Sequence, residues 1–200
     1  PPPAADDSTD DEPQRERQRD RGQREDEAEG GGGIAGVKAA IDDYDASLSD
    51  GSKVGAVVVS FDGSEVVSGG SVSAGQPWSV MKVPTAAAFL NFKKEQEGTE
   101  SGVAAMPEGS SSREDLGLAL VQSDNLGIRR PIQEMIEAEG ADSAASRINQ
   151  SLAAGGISSV SISPEIDPEI DSLDIGTGVW SLSEAAEWFR RRGNWPEQEM

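Results

Sequence analysis

Two short motifs carry residue types suited to acyl transfer. The first is Ser79-Val80-Met81-Lys82 in PWSVMKVPTAAAFL, residues 77–90. On a helix, positions i and i+3 put the Ser79 hydroxyl and the Lys82 amine on one face, a turn apart. A lysine takes a proton from a hydroxyl only where burial lowers its pKa, and Trp78, Val80, Met81 and Val83 are apolar neighbours that can supply that burial. A serine at a helix start also has the dipole's positive end and unpaired N–H groups nearby, which favour an oxyanion. The pair alone is weak: 25 serines and 5 lysines yield about 0.6 S-x-x-K matches by chance. A capping serine and a solvated lysine explain it equally well. The second motif, Ser123-Asp124-Asn125, is rarer: with 17 aspartates and 4 asparagines, chance supplies an S-D-N tripeptide about 0.04 times. Its bland explanation is an interhelical turn whose Ser or Asp caps the next helix.

The absences narrow the chemistry further. The chain has no histidine and no cysteine, which removes Ser-His-Asp triads, Cys-His pairs, disulfide frameworks and the usual zinc sites. A nucleophile here needs Lys, Asp or Glu as its base, and neither a metal nor a cofactor is expected. A formal charge of −20 argues against nucleic acid, whose phosphates require a basic patch, and against an anionic membrane surface. No run of 18 apolar residues occurs, and no basic segment leads into an apolar one as in a signal peptide. The sequence opens on PPPAADD rather than on Met, so we take it as a mature chain or a fragment.

The elements that must position the motifs follow from the pattern. Residues 1–33 hold scarcely an apolar side chain and close in Gly30-Gly31-Gly32-Gly33. Such a segment buries too little to offset its ordering entropy, so it is expected to be a disordered charged linker or tail, compatible with a tether to a membrane or wall. Residues 34–200 form the domain. Ile34, Val37, Ile41 and Tyr44 fall at helical spacing, and two Val-rich runs around Asp62-Gly63 predict a hairpin. A helix is expected from Ser79 to about Glu95. Ser112 and Asp115 have the form of a capping box opening a helix over 113–122, with a break at Ser123-Asp124-Asn125. Another helix runs to about Glu139, where Pro131 interrupts it or marks its true start. A further helix stops at Gly155-Gly156. Residues 157–180 read as irregular. Ser181 and Glu184 open a last helix that ends on Arg190 to Arg192 at its negative pole. Trp180, Trp188 and Phe189 are expected in the core. The sum is an α/β (α+β) fold: an antiparallel hairpin plus a helical region. Two strands make a poor sheet, so either more strands follow Met200, the expectation favoured here, or the hairpin packs on helices without a proper sheet.

SVMK followed by SDN resembles the first two motifs of the penicillin-interacting serine enzymes, the class A β-lactamases and D-alanyl-D-alanine peptidases. The helix-then-hairpin opening, Pro84 just after Lys82, and GTGVWSLSEAAEWF are similar to actinobacterial members of that superfamily. The likeness covers about residues 34–193. It implies a β-lactamase/transpeptidase-like fold and a secreted, extracellular or cell-envelope serine hydrolase, monomeric and without cofactor. Its substrate would be a β-lactam or the D-Ala-D-Ala end of a peptidoglycan stem peptide. Position by position, the resemblance makes Ser79 the acylated nucleophile, with half of the oxyanion hole from its N–H. Lys82 becomes the base, Ser123 the proton relay to the leaving nitrogen, and Asn125 a substrate-binding amide; Asp124 is structural. Three departures are visible. No K-T-G or K-S-G triad follows SDN, and Gly176-Thr177-Gly178 lacks the lysine; the resemblance puts that strand after Met200 and implies that residues 1–200 alone are nearly inactive. Glu165 and Glu169 stand where a water-activating glutamate is expected, but without the E-x-x-x-N pattern. The stretch between positions 79 and 123 is shorter than in class A enzymes. The alternative expectation is a non-catalytic relative that keeps the fold as a wall-binding or interaction module.

Overall fold

The computed structural model describes residues 34–193. The charged segment 1–33 lies outside them, as does the side chain of Arg192. The described residues form a mixed α/β structure, mainly helical, with three small antiparallel sheets. In chain order the helices are α1 (Ile34–Ser47), α2 (Lys82–Glu97), α3 (Ser111–Val121), α4 (Asn125–Glu139), α5 (Ala141–Ala154) and α6 (Leu182–Gly193). The strands are β1 (Gly55–Val59), β2 (Val66–Gly70), β3 (Ala74–Gly75), β4 (Ile166–Asp167), β5 (Ser172–Leu173) and β6 (Trp180–Ser181).

The Val-rich runs pair as β1 and β2, with Val59 opposite Val66 and Gly55 opposite Gly70. The loop is longer than the two-residue turn that Asp-Gly suggests. Ser60 N–H still donates to the Glu65 carbonyl at 3.0 Å, so four residues, 61–64, make the reversal. Asp62 organises it: its carboxylate accepts from Ser60 Oγ (2.6 Å), Ser64 N–H (3.0 Å) and Ser64 Oγ (2.8 Å). The hairpin is covered by helices rather than by a wide sheet, α1 against β2 and α6 against β1. Two carboxylates of α1 grip it. Asp42 accepts from Gly70 N–H at 2.7 Å, and Asp45 accepts from Val54 N–H (2.6 Å) and Ser71 N–H (3.1 Å).

The core sits on α2. Its first turns bury Lys82, Pro84, Thr85, Ala86, Ala88, Phe89 and Phe92, a helix enclosed on nearly all sides, as a central element must be. Pro84 costs nothing there, because the first N–H groups of a helix have no partner within it. Helices α3, α4 and α5 pack on α2 and contribute Leu116, Ile132, Met135, Ile148 and Leu152 to one apolar cluster. Polar clamps fix the relative placement of α2, α3 and α4. Glu134 on α4 takes Lys93 of α2 at 3.0 Å and Ser112 Oγ of α3 at 2.9 Å. Asp115 of α3, buried, pairs with Arg130 of α4 at 2.7 Å.

Those clamps correct the expected capping box. The N-cap of α3 is Ser110, with no side-chain capping bond; Ser112 and Asp115 face α4 instead, where they hold two helices together. Pro131 neither breaks α4 nor starts it: the helix runs from Asn125 through Glu139. Gly155 and Gly156 do follow the last turn of α5, but for different reasons. Gly156 has φ of 89°, whereas Gly155 is ordinary in backbone, and a Cβ there would lie 1.8 Å from Trp188 Cδ1. The close approach lets the buried Trp188 donate its indole N–H to the Ser151 carbonyl at 3.1 Å. Trp180 is buried as well, but Phe189 is 43% exposed and meets Trp188 edge-on with ring centres 5.1 Å apart. Arg190 and Arg191 close on Glu187 of their own helix rather than on its terminal carbonyls. Residues 157–180 carry more order than expected, since β4 pairs with β5 and β6 pairs with β3.

Candidate active site

Ser79 lies in a single 3-10 turn, Trp78–Met81, that leads directly into α2 at Lys82. The helix expected to start at Ser79 therefore has a tighter first turn, with Ser79 exposed at its tip and Lys82 buried beneath it. Lys82 Nζ lies 3.3 Å from Ser79 Oγ and 3.2 Å from Ser123 Oγ, and it also donates to the Ser123 carbonyl. Those three acceptors use all three ammonium donors. Lys82 is 4% exposed and makes no ion pair with a carboxylate among the described residues. Burial holds its pKa below the ordinary lysine value, and the more distant charge of Asp124 opposes the shift only in part.

Ser123 meets Lys82 through an unusual backbone. Its φ is 56°, a left-handed conformation that costs a non-glycine residue about 1–2 kcal/mol. The conformation ends α3 and lets both the hydroxyl and the carbonyl of one residue reach the same amine. Asp124 then caps α4 by accepting from Gly127 N–H at 2.7 Å, the structural role assigned to it. Gly127 allows α4 to approach α3 closely, since a Cβ there would lie 2.6 Å from the Asp115 carbonyl oxygen. Asn125, the first residue of α4, is exposed and lines the same cleft as Ser79.

That cleft has a volume of about 370 Å³. One wall is a stripe of α4 and the other is the β4–β5 hairpin, held to α4 by Gln133 donating to the Asp171 carbonyl at 3.0 Å. Non-glycine residues with positive φ number three among those described: Trp78, Ser123 and Asp171. Trp78 lines the cleft, Ser123 binds the lysine that lines it, and Asp171 sits between two lining residues, Ile170 and Ser172. Ser123 takes this conformation at the end of α3 and Asp171 in the turn between β4 and β5, so two of the three also serve the fold.

No protein-family model, curated protein or solved structure matches this chain. Its function must therefore be argued from this cleft.

Four of the six sequence-predicted site residues come together: Ser79, Lys82 and Asn125 line the cleft and Ser123 is bonded to Lys82. Glu165 and Glu169 do not line it. Both are exposed; Glu165 lines a neighbouring cleft, and Glu169 donates its backbone N–H to Asp167 at 2.8 Å. The carboxylates that do line the Ser79 cleft are Asp167 and Asp174, which sequence reasoning missed. Asp174 spends both oxygens on its own loop, accepting from Gly176 N–H and Thr177 Oγ1, each at 2.8 Å. Among the described residues, Asp167 has one oxygen engaged, by that Glu169 N–H. No local signal separates Asp167 from the other acids of this segment; its pairing opposite the buried Ser172 in the β4–β5 ladder is what brings it to the cleft. Among the described residues no cluster of acids could hold a metal.

Proposed function

We propose that this chain is a serine acyl-enzyme hydrolase of the β-lactamase and D-alanyl-D-alanine peptidase type. Ser79 is its nucleophile, and β-lactams or the D-Ala-D-Ala ends of peptidoglycan stem peptides are its substrates. One observation carries this reading: a buried lysine with no counter-ion among the described residues sits within hydrogen-bond reach of two serine hydroxyls. A lysine kept only to stabilise the fold would gain from a carboxylate partner. One kept to accept a proton gains from lacking it, because the neutral amine is then available at lower pH. The β-lactamase-like architecture proposed here is supported by the helix, the hairpin and the serine turn feeding a buried helix. An extracellular or envelope location, with residues 1–33 as a tether, belongs to the same proposal.

The chemistry runs in two halves. Neutral Lys82 takes the Ser79 proton as Oγ attacks the acyl carbon, and the carbonyl becomes an oxyanion. The C–N bond then breaks, and Lys82 returns its proton through the Ser123 hydroxyl to the leaving nitrogen. Ser79 is left as an ester. Water attacks that ester in the second half, losing a proton to a base and releasing the acid with Ser79 restored. Asp167 is better placed than Glu165 or Glu169 to activate that water, since it lines the cleft and keeps one carboxylate oxygen unengaged. Asn125 supplies an amide to hold the substrate.

The test is acylation of the full-length protein. Incubation with a penicillin or an activated ester adds one acyl mass, located on Ser79 by peptide mass mapping, and Ser79→Ala protein gains none. A wild-type protein that gains no adduct with any β-lactam or activated ester is a binding module, and the catalytic proposal falls.

A further inference from the structure

The α4 face along the Ser79 cleft is ordered by polarity. Asn125, Ile128, Arg129 and Ile132 all line it, and their spacing of three and four puts them in one stripe. At 1.5 Å of rise per residue, Ile132 lies about 10 Å along the axis from Asn125. Asn125 is exposed at the end nearest the Ser123 turn, whereas Ile132 is 1% exposed at the other. Opposite this stripe the hairpin adds Ile170, Leu173 and Ile175, with Leu173 as deeply buried as Ile132. The cleft thus leads from reactive polar groups to an apolar floor. With Lys82 neutral, as acylation requires, Arg129 is the one cation among the described residues lining the cleft, opposite Asp167 and an Asp174 whose oxygens are engaged on its own loop. Arg129 is half-buried and unpaired with any acid among the described residues; its methylene stem can lie along the stripe while the guanidinium reaches solvent.

We infer that this cleft selects the acyl half of the substrate and that it takes a neutral, apolar acyl chain of medium length, running from Ser79 along the α4 stripe toward Ile132 and Leu173. The inference rests on Ser79 being the acyl acceptor. Within the substrates proposed above it favours those whose acyl portion presents an aliphatic group to the cleft over those that present a charged or polar one.

Single-turnover acylation by p-nitrophenyl esters from acetate to octanoate tests it, with Ser79→Ala protein as the background. Each methylene buried adds about 0.8 kcal/mol, so the second-order rate constant should rise about fourfold per CH₂ until the cleft is filled. Ile170→Ser, at a half-buried loop position that leaves the core intact, should flatten the rise. A series without chain-length dependence overturns the inference. So does a preference for the hydrogen glutarate ester over the pentanoate ester that Arg129→Ala abolishes, since the cleft would then be reading an anion. Binding of hexanamide, which is neutral and does not react, separates the two proposals. Saturable shifts of the Ile128, Ile132 and Leu173 methyl NMR signals are expected in wild-type and Ser79→Ala protein alike. Shifts without any acylation sink the catalytic proposal and leave the cleft assignment standing; absence of shifts overturns the assignment whatever Ser79 does.

Discussion

Lys82 is a buried amine with three hydrogen-bond acceptors and no carboxylate in contact among the described residues; Trp78 and Val80, expected to bury it, are themselves exposed, and Met81 is the buried neighbour. Its ammonium form has lost most of its hydration and gained only neutral oxygens, so the proton leaves more easily than from a solvated lysine. A folded pKa below the ordinary 10.5 means that the rate of Ser79 acylation should climb with pH, with its midpoint below that value. Stopped-flow acylation across pH 6–11 would show it, and a midpoint at or above the ordinary lysine value would contradict the role. Lys82→Ala should slow acylation by roughly 10²–10⁴-fold, the usual contribution of a positioned base. Lys82→Arg should not restore it, because a guanidinium keeps its proton throughout that range. A purely structural lysine would predict the reverse: arginine would rescue and the profile would stay flat.

At the level of elements, the site is a meeting of ends. The 3-10 turn before α2, the last residues of α3 and the first of α4 converge, and each is fixed by contacts made elsewhere. Asp115 with Arg130 and Glu134 with Lys93 and Ser112 lock the helices. On the far side, Trp188 of α6 fills the space over Gly155 at the end of α5. The Gly155 backbone would accept alanine, and on chain entropy alone that change should stabilise slightly. The steric clash has the opposite sign and is larger. Gly155→Ala should therefore destabilise by about 1–3 kcal/mol as the indole is displaced, and Trp188→Ala by about 3–5 kcal/mol. Urea unfolding followed by circular dichroism measures both. A neutral or stabilised Gly155→Ala variant would mean that Trp188 does not pack there.

For the whole molecule, the hairpin is held by carboxylates of α1 as well as by its own two-strand ladder. Hydrogen bonds from Lys38 and Gly70 keep Asp42 below the usual aspartate range, and those from Val54 and Ser71 do the same for Asp45. Asp62 in the hairpin loop is lowered to about 2 by the Ser60 and Ser64 hydroxyls and the Ser64 N–H. Glu187 is lowered to about 2 by hydrogen bonds from Arg190 and Arg191. A carboxyl whose folded pKa is depressed contributes stability that is complete above its unfolded value and lost as pH falls through the folded one. With ordinary values of 3.8 and 4.5, thermal stability should hold down to about pH 4.5 and then fall steadily toward pH 2. Asp45→Asn should lower the melting temperature at pH 7 and make the decline on the acid side shallower. Melting curves at half-unit pH steps check both, and a melting temperature that rises between pH 4 and pH 2 would refute the assignment.

Sequence alone determined what local pattern can determine. The Val runs and Asp-Gly specified the hairpin, apolar spacing specified the helices, and the lack of histidine and cysteine limited the base of any serine nucleophile to Lys, Asp or Glu. The Ser79–Lys82 pair and Ser123-Asp124-Asn125 were legible as motifs because both sit in short stretches whose backbone is set locally. Only the tertiary structure decided that Ser123 turns its hydroxyl and carbonyl onto Lys82, since that needs a left-handed residue at one helix end meeting the start of another. It also decided which acids face the cleft. In the segment from Pro164 to Asp174 every acid looks alike in composition, and the hairpin register with its anchor on α4 turns Asp167 and Asp174 inward and leaves Glu165 and Glu169 outside. Ser112 and Asp115 show the same limit from the other side. Their spacing fits a cap, but a buried carboxylate and a hydroxyl within reach of Arg130 and Glu134 gain more from charged partners on a neighbouring helix than from the backbone of their own.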